Sequence, residues 1–188
     1  MSAPRGTYRV SDSRPVRSHD AWIAWAEATR PILESLAQQY DATMTYSALA
    51  DQVQVATGIR TTQLFRYWIG EVLFHVAKGC AQRAGPLLTS LVIRADGTIG
   101  DGYAKALQIM GQPVPDDIEL AAAEERLRCY LHFGAALPAD GGRPRLPDQV
   151  RKARARRLRS GRAIHSREQV CPTCHLKRPA TGVCDTCD

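Results

Sequence analysis

The stretch QLFRYWIGEVLFHVAKG, residues 63–79, carries the clearest periodicity in the chain. Phe65, Trp68, Ile69, Val72, Leu73 and Val76 recur at steps of three and four, which lays them along one stripe of an α-helix. Gln63, Tyr67, Gly70, Glu71, Phe74 and Lys78 point the other way, with Arg66 on the flank. Thr61 or Thr62 can cap this helix. Just upstream, TMTYSALADQV (residues 43–53) reads as a second helix, with Thr45 as N-cap and Tyr46, Leu49, Ala50 and Val53 on one face. Gly58 falls in the turn between the two. Downstream, GPLLTSLVIRADGTIGDGYA (residues 85–104) reads as a hairpin. Leu87 to Arg94 is strand-like, Ala95-Asp96-Gly97 makes the turn, and Thr98 to Tyr103 returns. Gly100 and Gly102 weaken the return strand or mark a close backbone approach. Helix, short turn, helix, hairpin is the order of a winged helix-turn-helix.

Outside this centre, a first helix is expected from about Asp20 to Tyr40. Trp22, Trp25, Ala26, Ile32, Leu33 and Leu36 lie on its stripe, with Thr29 the polar exception and Pro31 expected to kink or split it. Residues 1–17 are polar and basic without periodicity and read as a mobile arm. After GQPVPDD (residues 111–117), a helix is expected from about Asp116 to Phe133. Its buried side would hold Leu120, Ala123, Leu127, Tyr130 and Leu131, with Glu124 and Arg128 paired outside. The organisation expected is a basic arm (1–17), a helical N-terminus plus winged helix (18–107) and a helical extension (108–137). A linker with an Arg-rich helix (138–168) and a terminal metal ribbon (169–188) follow. The fold class is mainly α with a small β-hairpin.

The ribbon rests on CPTCHLKRPATGVCDTCD, residues 171–188. Cys171 and Cys174, then Cys184 and Cys187, form two Cys-x2-Cys pairs that suit one tetrahedral zinc ion. Four sulfur ligands leave no coordination position open, so the zinc is expected to be structural. A unit this small has no core of its own, so the metal would supply its stability. His175 reads as a loop residue, and with Lys177 and Arg178 it makes the ribbon's loop basic. Cys80 and Cys129 read as packed thiols.

Composition bounds the rest. The 188 residues are 44% hydrophobic, enough for a core, and the net charge of +6 is concentrated downstream of residue 150. No run of eighteen apolar residues and no secretory leader are present, so a cytoplasmic chain is expected. Paired carboxylates with a histidine, a Ser/His/Asp set, a P-loop and HExxH are all missing, so neither an enzyme nor a small-molecule substrate is expected.

TYSALADQV (residues 45–53) and LVIRADGTIGDGYA (residues 91–104) together resemble the winged-helix C-terminal domain of alkylguanine-DNA alkyltransferases and alkyltransferase-like proteins. That family opens the domain with a Thr/Ser-Tyr-x-x-Leu-Ala helix and closes it with an Asp-Gly-x-(Leu/Ile)-Gly-x-Tyr hairpin. The resemblance spans residues 43–107. It implies that Tyr46 matches the tyrosine that helps rotate a nucleotide out of the duplex. It places Arg66 within a residue of the family's arginine finger, Val92 in its active loop, and Asp96, Gly97, Ile99, Gly100 and Tyr103 on its hairpin. Thr89 stands where the family has its nucleophilic cysteine, and the adjacent histidine and arginine are missing too. Alkyl transfer is therefore not expected. The hairpin return is one residue longer than the family's, with Asp101 and Gly102 between Gly100 and Tyr103.

These features point to a non-enzymatic, zinc-containing protein that binds nucleic acid, duplex DNA first. The contacts expected are Tyr46, Arg60, Thr61, Thr62, Gln63, Arg66 and Arg94 from the winged helix. Arg151, Lys152, Arg154, Arg156, Arg157 and Arg159 from the basic helix join them, with Lys177 and Arg178 from the ribbon. Against this, Tyr67, Gly70, Glu71 and Phe74 give the outward helix face few groups for reading bases. The alternative is a protein-docking module of a larger nucleic-acid-processing complex, its partner held on a Trp22/Trp25 face.

Overall fold

The computed structural model describes residues 5–167 and residue 173, with side chains described through residue 160 and at residue 173. The described chain is mainly helical, with two small two-stranded sheets. Its elements are β1 (Thr7–Arg9), α1 (Ser18–Ala37), β2 (Met44–Thr45), α2 (Tyr46–Thr57), β3 (Ile59–Thr61), α3 (Ile69–Gln82), β4 (Val92–Ile93), α4 (Tyr103–Ile109), α5 (Ile118–His132) and α6 (Asp148–Arg167). Residues 1–147 form one unit, and residues 148–188, beginning with α6, form another. No helix among the described residues is long and apolar enough to cross a membrane.

The core of the first unit is built on tryptophan. Ala21, Trp25, Ala26, Thr29, Leu33 and Ala37 are the buried stripe of α1. Ile69, Val72, Val76, Ala77 and Cys80 are that of α3. Trp25 and Trp68 stack with ring centroids 4.2 Å apart. Each indole N–H finds a carbonyl, Trp25 Nε1 on Ile59 at 3.2 Å and Trp68 Nε1 on Gln63 at 3.4 Å. Both rings thus enter the core without stranding a donor. Trp25 is 1% exposed, so it cannot share a docking face with the half-buried Trp22. Thr29 is tolerated inside because its hydroxyl folds back onto the Trp25 carbonyl at 2.7 Å. Helix α1 runs through Pro31 unsplit, because the stripe on either side of the proline is held by the same core.

Several sequence expectations are corrected. Residues 7–16 are not a free arm. β1 pairs antiparallel with β3 in the register Thr7↔Thr61, and Val16 N–H closes back on the Thr7 carbonyl at 2.9 Å. The exposed backbone edge of β3 gains a partner this way.

The central helix begins at Ile69, not at Thr61 or Thr62. Those hydroxyls are already used: Thr61 Oγ1 accepts from Gln63 N–H and Thr7 Oγ1, and Thr62 Oγ1 accepts from Gly6 N–H. Phe65–Tyr67 is instead a 3-10 turn, which leaves Phe65 on the surface rather than on the buried stripe.

The expected hairpin is reduced. Leu88–Leu91 is a buried 3-10 turn, not a strand. β4 pairs in parallel with β2, the turn keeps a single bridge, Ile93↔Ile99, the rest of residues 98–102 forms no strand, and α4 begins at Tyr103.

Helix α5 buries Ala123 and Tyr130 as expected, but not Leu120 and Leu131. Leu120 and Leu131 are exposed, and Glu125 and Arg126 are buried. Polar residues go inside here because they serve the 3-10 turn. Glu125 Oε1 accepts Leu87 N–H at 2.6 Å, and Arg126 Nη1 donates to the Ser90 carbonyl at 3.2 Å. Arg128 pairs with Glu125, at 2.7 Å, rather than with Glu124.

Candidate nucleic-acid interface

A cleft of about 560 Å³ opens where α2, α3, α4 and the Arg94–Thr98 turn meet. Three of the expected contact residues reach it from three different elements: Tyr46, Arg66 and Arg94.

Tyr46 opens α2. Thr45 caps that helix by accepting Ala48 N–H at 3.3 Å, and Gly58 closes it in the left-handed conformation at φ +64. The Tyr46 hydroxyl rests directly on Gly100, where any Cβ would collide with it. Gly100 therefore marks the close backbone approach that was one of its two sequence readings, whereas a Cβ at Gly102 would meet nothing. Burial pushes the Tyr46 hydroxyl pKa up, against the opposing pull of the Arg94 charge and the Gly100 backbone.

Arg94 leaves β4 into the cleft. Its Nη2 pairs with Asp101 at 2.5 Å and its Nη1 donates to the Ile99 carbonyl at 3.2 Å. The bond from Asp101 raises its pKa further and keeps it charged. The turn that follows is locked by Asp96, whose carboxylate accepts both the Thr98 N–H at 2.9 Å and the Thr98 hydroxyl at 2.6 Å. Those bonds hold the Asp96 carboxyl below its usual range.

Deeper in the cleft lie Thr89 and Tyr103. Both are buried, and neither hydroxyl has a hydrogen-bond partner in the structure. Burial drives the Tyr103 hydroxyl far above its ordinary pKa, so it stays a neutral donor. Phe65, Leu73, Phe74 and Ile109 form apolar walls, and Lys105 and Glu71 are exposed groups of opposite charge among the lining residues.

The other expected contacts lie elsewhere. Thr61 and Thr62 are spent on internal bonds, and Gln63 and Arg60 are exposed outside the cleft lining. Arg151, Lys152, Arg154, Arg156, Arg157 and Arg159 lie on α6, in the second unit, all exposed except the half-buried Arg154. Arg151 is also tied to Asp148 at 2.8 Å. Cys171, Cys174, Cys184, Cys187, Lys177 and Arg178 lie outside the described residues. Among those described, no group of three or more His, Cys, Asp or Glu could hold a metal.

Sequence reasoning missed Lys105 and the inward role of Tyr103 because it read residues 98–103 as a strand and stopped at its end. The signal available was Tyr103, Ala106 and Leu107, all buried and spaced as one helical face. The chain matches no family model, no curated protein and no solved structure, so the cleft itself carries the functional argument.

Proposed function

We propose that this protein binds duplex DNA without performing covalent chemistry, and that the cleft receives a base turned out of the duplex. The observation that carries the reading is the convergence of Tyr46, Arg66 and Arg94 on a cleft that has Phe65 and Phe74 among its walls. A flipped base needs aromatic or apolar walls for its faces and hydrogen-bonding groups for its edge. Cations beside the cleft suit the phosphates on either side of it. Thr89 has no hydrogen-bonded base beside its hydroxyl, which argues against its acting as an activated nucleophile. In this reading α2, α3 and the Arg94–Thr98 turn act as a compact winged helix. The arginines of α6 add sequence-independent affinity, and a zinc ion on Cys171, Cys174, Cys184 and Cys187 folds the terminal ribbon.

A base that is already unpaired costs less to extrude. Duplexes carrying one mismatch should therefore bind about tenfold tighter than matched ones. A Phe74→Ala variant, which removes one wall of the cleft, should lose that preference while binding matched duplex as before. Equal affinity for matched and mismatched duplexes in the wild-type protein would remove the base-receiving role.

A further inference from the structure

The 3-10 turn at Phe65–Tyr67, with Leu64 leading into it, gathers large apolar side chains outside the core. Leu64 is 54% exposed, Phe65 39% and Tyr67 66%. Other exposed large apolar residues, such as Val10, Ile23 and Val114, stand singly in the sequence and need no explanation. Three within four residues is a concentration along the chain that the singly placed ones do not share.

The turn is held firmly. Tyr67 N–H donates to the Leu64 carbonyl at 3.0 Å and Trp68 N–H to the Phe65 carbonyl at 3.1 Å. Behind it, Trp68 is locked against Trp25 in the core. These side chains are thus presented from a rigid base.

Phe65 and Arg66 also line the cleft, so the turn is part of its wall. The Arg66 guanidinium lies over the Tyr67 ring, 4.9 Å from its centroid, and donates to the Tyr67 hydroxyl at 3.1 Å. That bond ties the cation to the Tyr67 side chain.

We propose that Leu64, Phe65 and Tyr67 form a wedge that enters the base stack of a duplex next to the extruded base, while Arg66 is turned toward a phosphate. The inference rests on the DNA-binding reading above. The occupant is a stack of bases, not a protein, because an exposed cation, Arg66, sits on the same turn and Lys105 lines the adjoining cleft, where Arg94 is paired with Asp101 and Glu71 is the other carboxylate. Aromatic and aliphatic wedges gain by stacking against bases of any sequence, which suits a surface poor in base-reading groups.

The test uses the full-length, zinc-loaded protein and duplexes carrying 2-aminopurine at successive positions. Its fluorescence rises when a neighbour unstacks. Saturating wild-type protein should raise the signal several-fold at one position or two adjacent ones. A Leu64→Ala, Tyr67→Ala double variant, which leaves the cleft lining intact, should lose most of that rise, with duplex affinity falling less than about tenfold and an unchanged salt slope. Tyr67→Phe, which keeps the ring, should preserve the rise. Saturated binding without any rise, or a full rise in the double variant, would overturn the wedge and leave the DNA-binding reading standing. Absence of duplex binding at low salt would remove both. Self-association of the wild type that the double variant loses, seen by sedimentation, would assign the patch to a second copy and overturn the wedge.

Discussion

Gly100 and Tyr46 make a contact that works only because one partner lacks a side chain. The Tyr46 hydroxyl occupies the space a Cβ would need. Gly100→Ala should therefore displace Tyr46 and cost on the order of 1–3 kcal/mol, read from urea midpoints. The same change at Gly102, where a Cβ meets nothing, should be nearly silent. Gly100 was legible in the sequence as a glycine out of place in a strand; its partner was not, because nothing local links residues 46 and 100.

Cys129 gives a second prediction at this scale. Burial pushes its thiol up to about 12, and burial raises Tyr103 and Tyr130 as well. These groups stay protonated in the folded chain at pH values where the unfolded chain ionises. Stability is complete below the unfolded thiol value of about 9 and is lost as pH rises through the folded values. The urea midpoint should be lower at pH 10 than at pH 7, and Cys129→Ala should narrow that gap. A midpoint unchanged between the two would contradict the burial of these groups.

At the scale of elements, α5 shows how a polar pair can take buried positions beside the expected Ala123 and Tyr130. Hydropathy alone assigns Leu120 and Leu131 to the inside. The structure buries Glu125 and Arg126 instead, because Leu87 N–H and the Ser90 carbonyl need partners. Glu125→Ala would leave a buried N–H unanswered and should cost about 2 kcal/mol in denaturant unfolding. Glu125→Gln, which keeps an acceptor, should cost less. If both variants are equally stable, the carboxylate is not what holds the 3-10 turn.

The stripe of α3 was read correctly at Trp68, Ile69, Val72 and Val76 and wrongly at Phe65. Periodicity locates a helix well but not its start. Here the start is set by threonines committed to the strand pair β1–β3 and by Trp68 turning into the core. The hairpin was misread for a related reason. A run such as Leu87–Leu91 is apolar enough for a strand, but its burial beneath α1 and α5 follows from tertiary packing that the local pattern does not encode.

For the whole molecule, the chain divides into two units between residues 147 and 148, inside the stretch (138–168) that the sequence reads as a linker and Arg-rich helix. If the terminal cysteines hold zinc as a fold-forming ion, chelation should leave the cooperative melting of the tryptophan core in place while removing a metal-dependent signal of the ribbon. A core that melts with the metal would instead make zinc a requirement of the whole chain.

The central claim, that the protein acts through the phosphate backbone of DNA, is tested most directly by the salt dependence of duplex binding. Arg66, Arg94 and the arginines of α6 together predict a steep line in log affinity against log salt. If six to ten phosphates are contacted, affinity should fall by roughly three to five decades between about 50 and 200 mM salt. An affinity that changes less than about tenfold over that range, or no binding at its low end, would contradict the account.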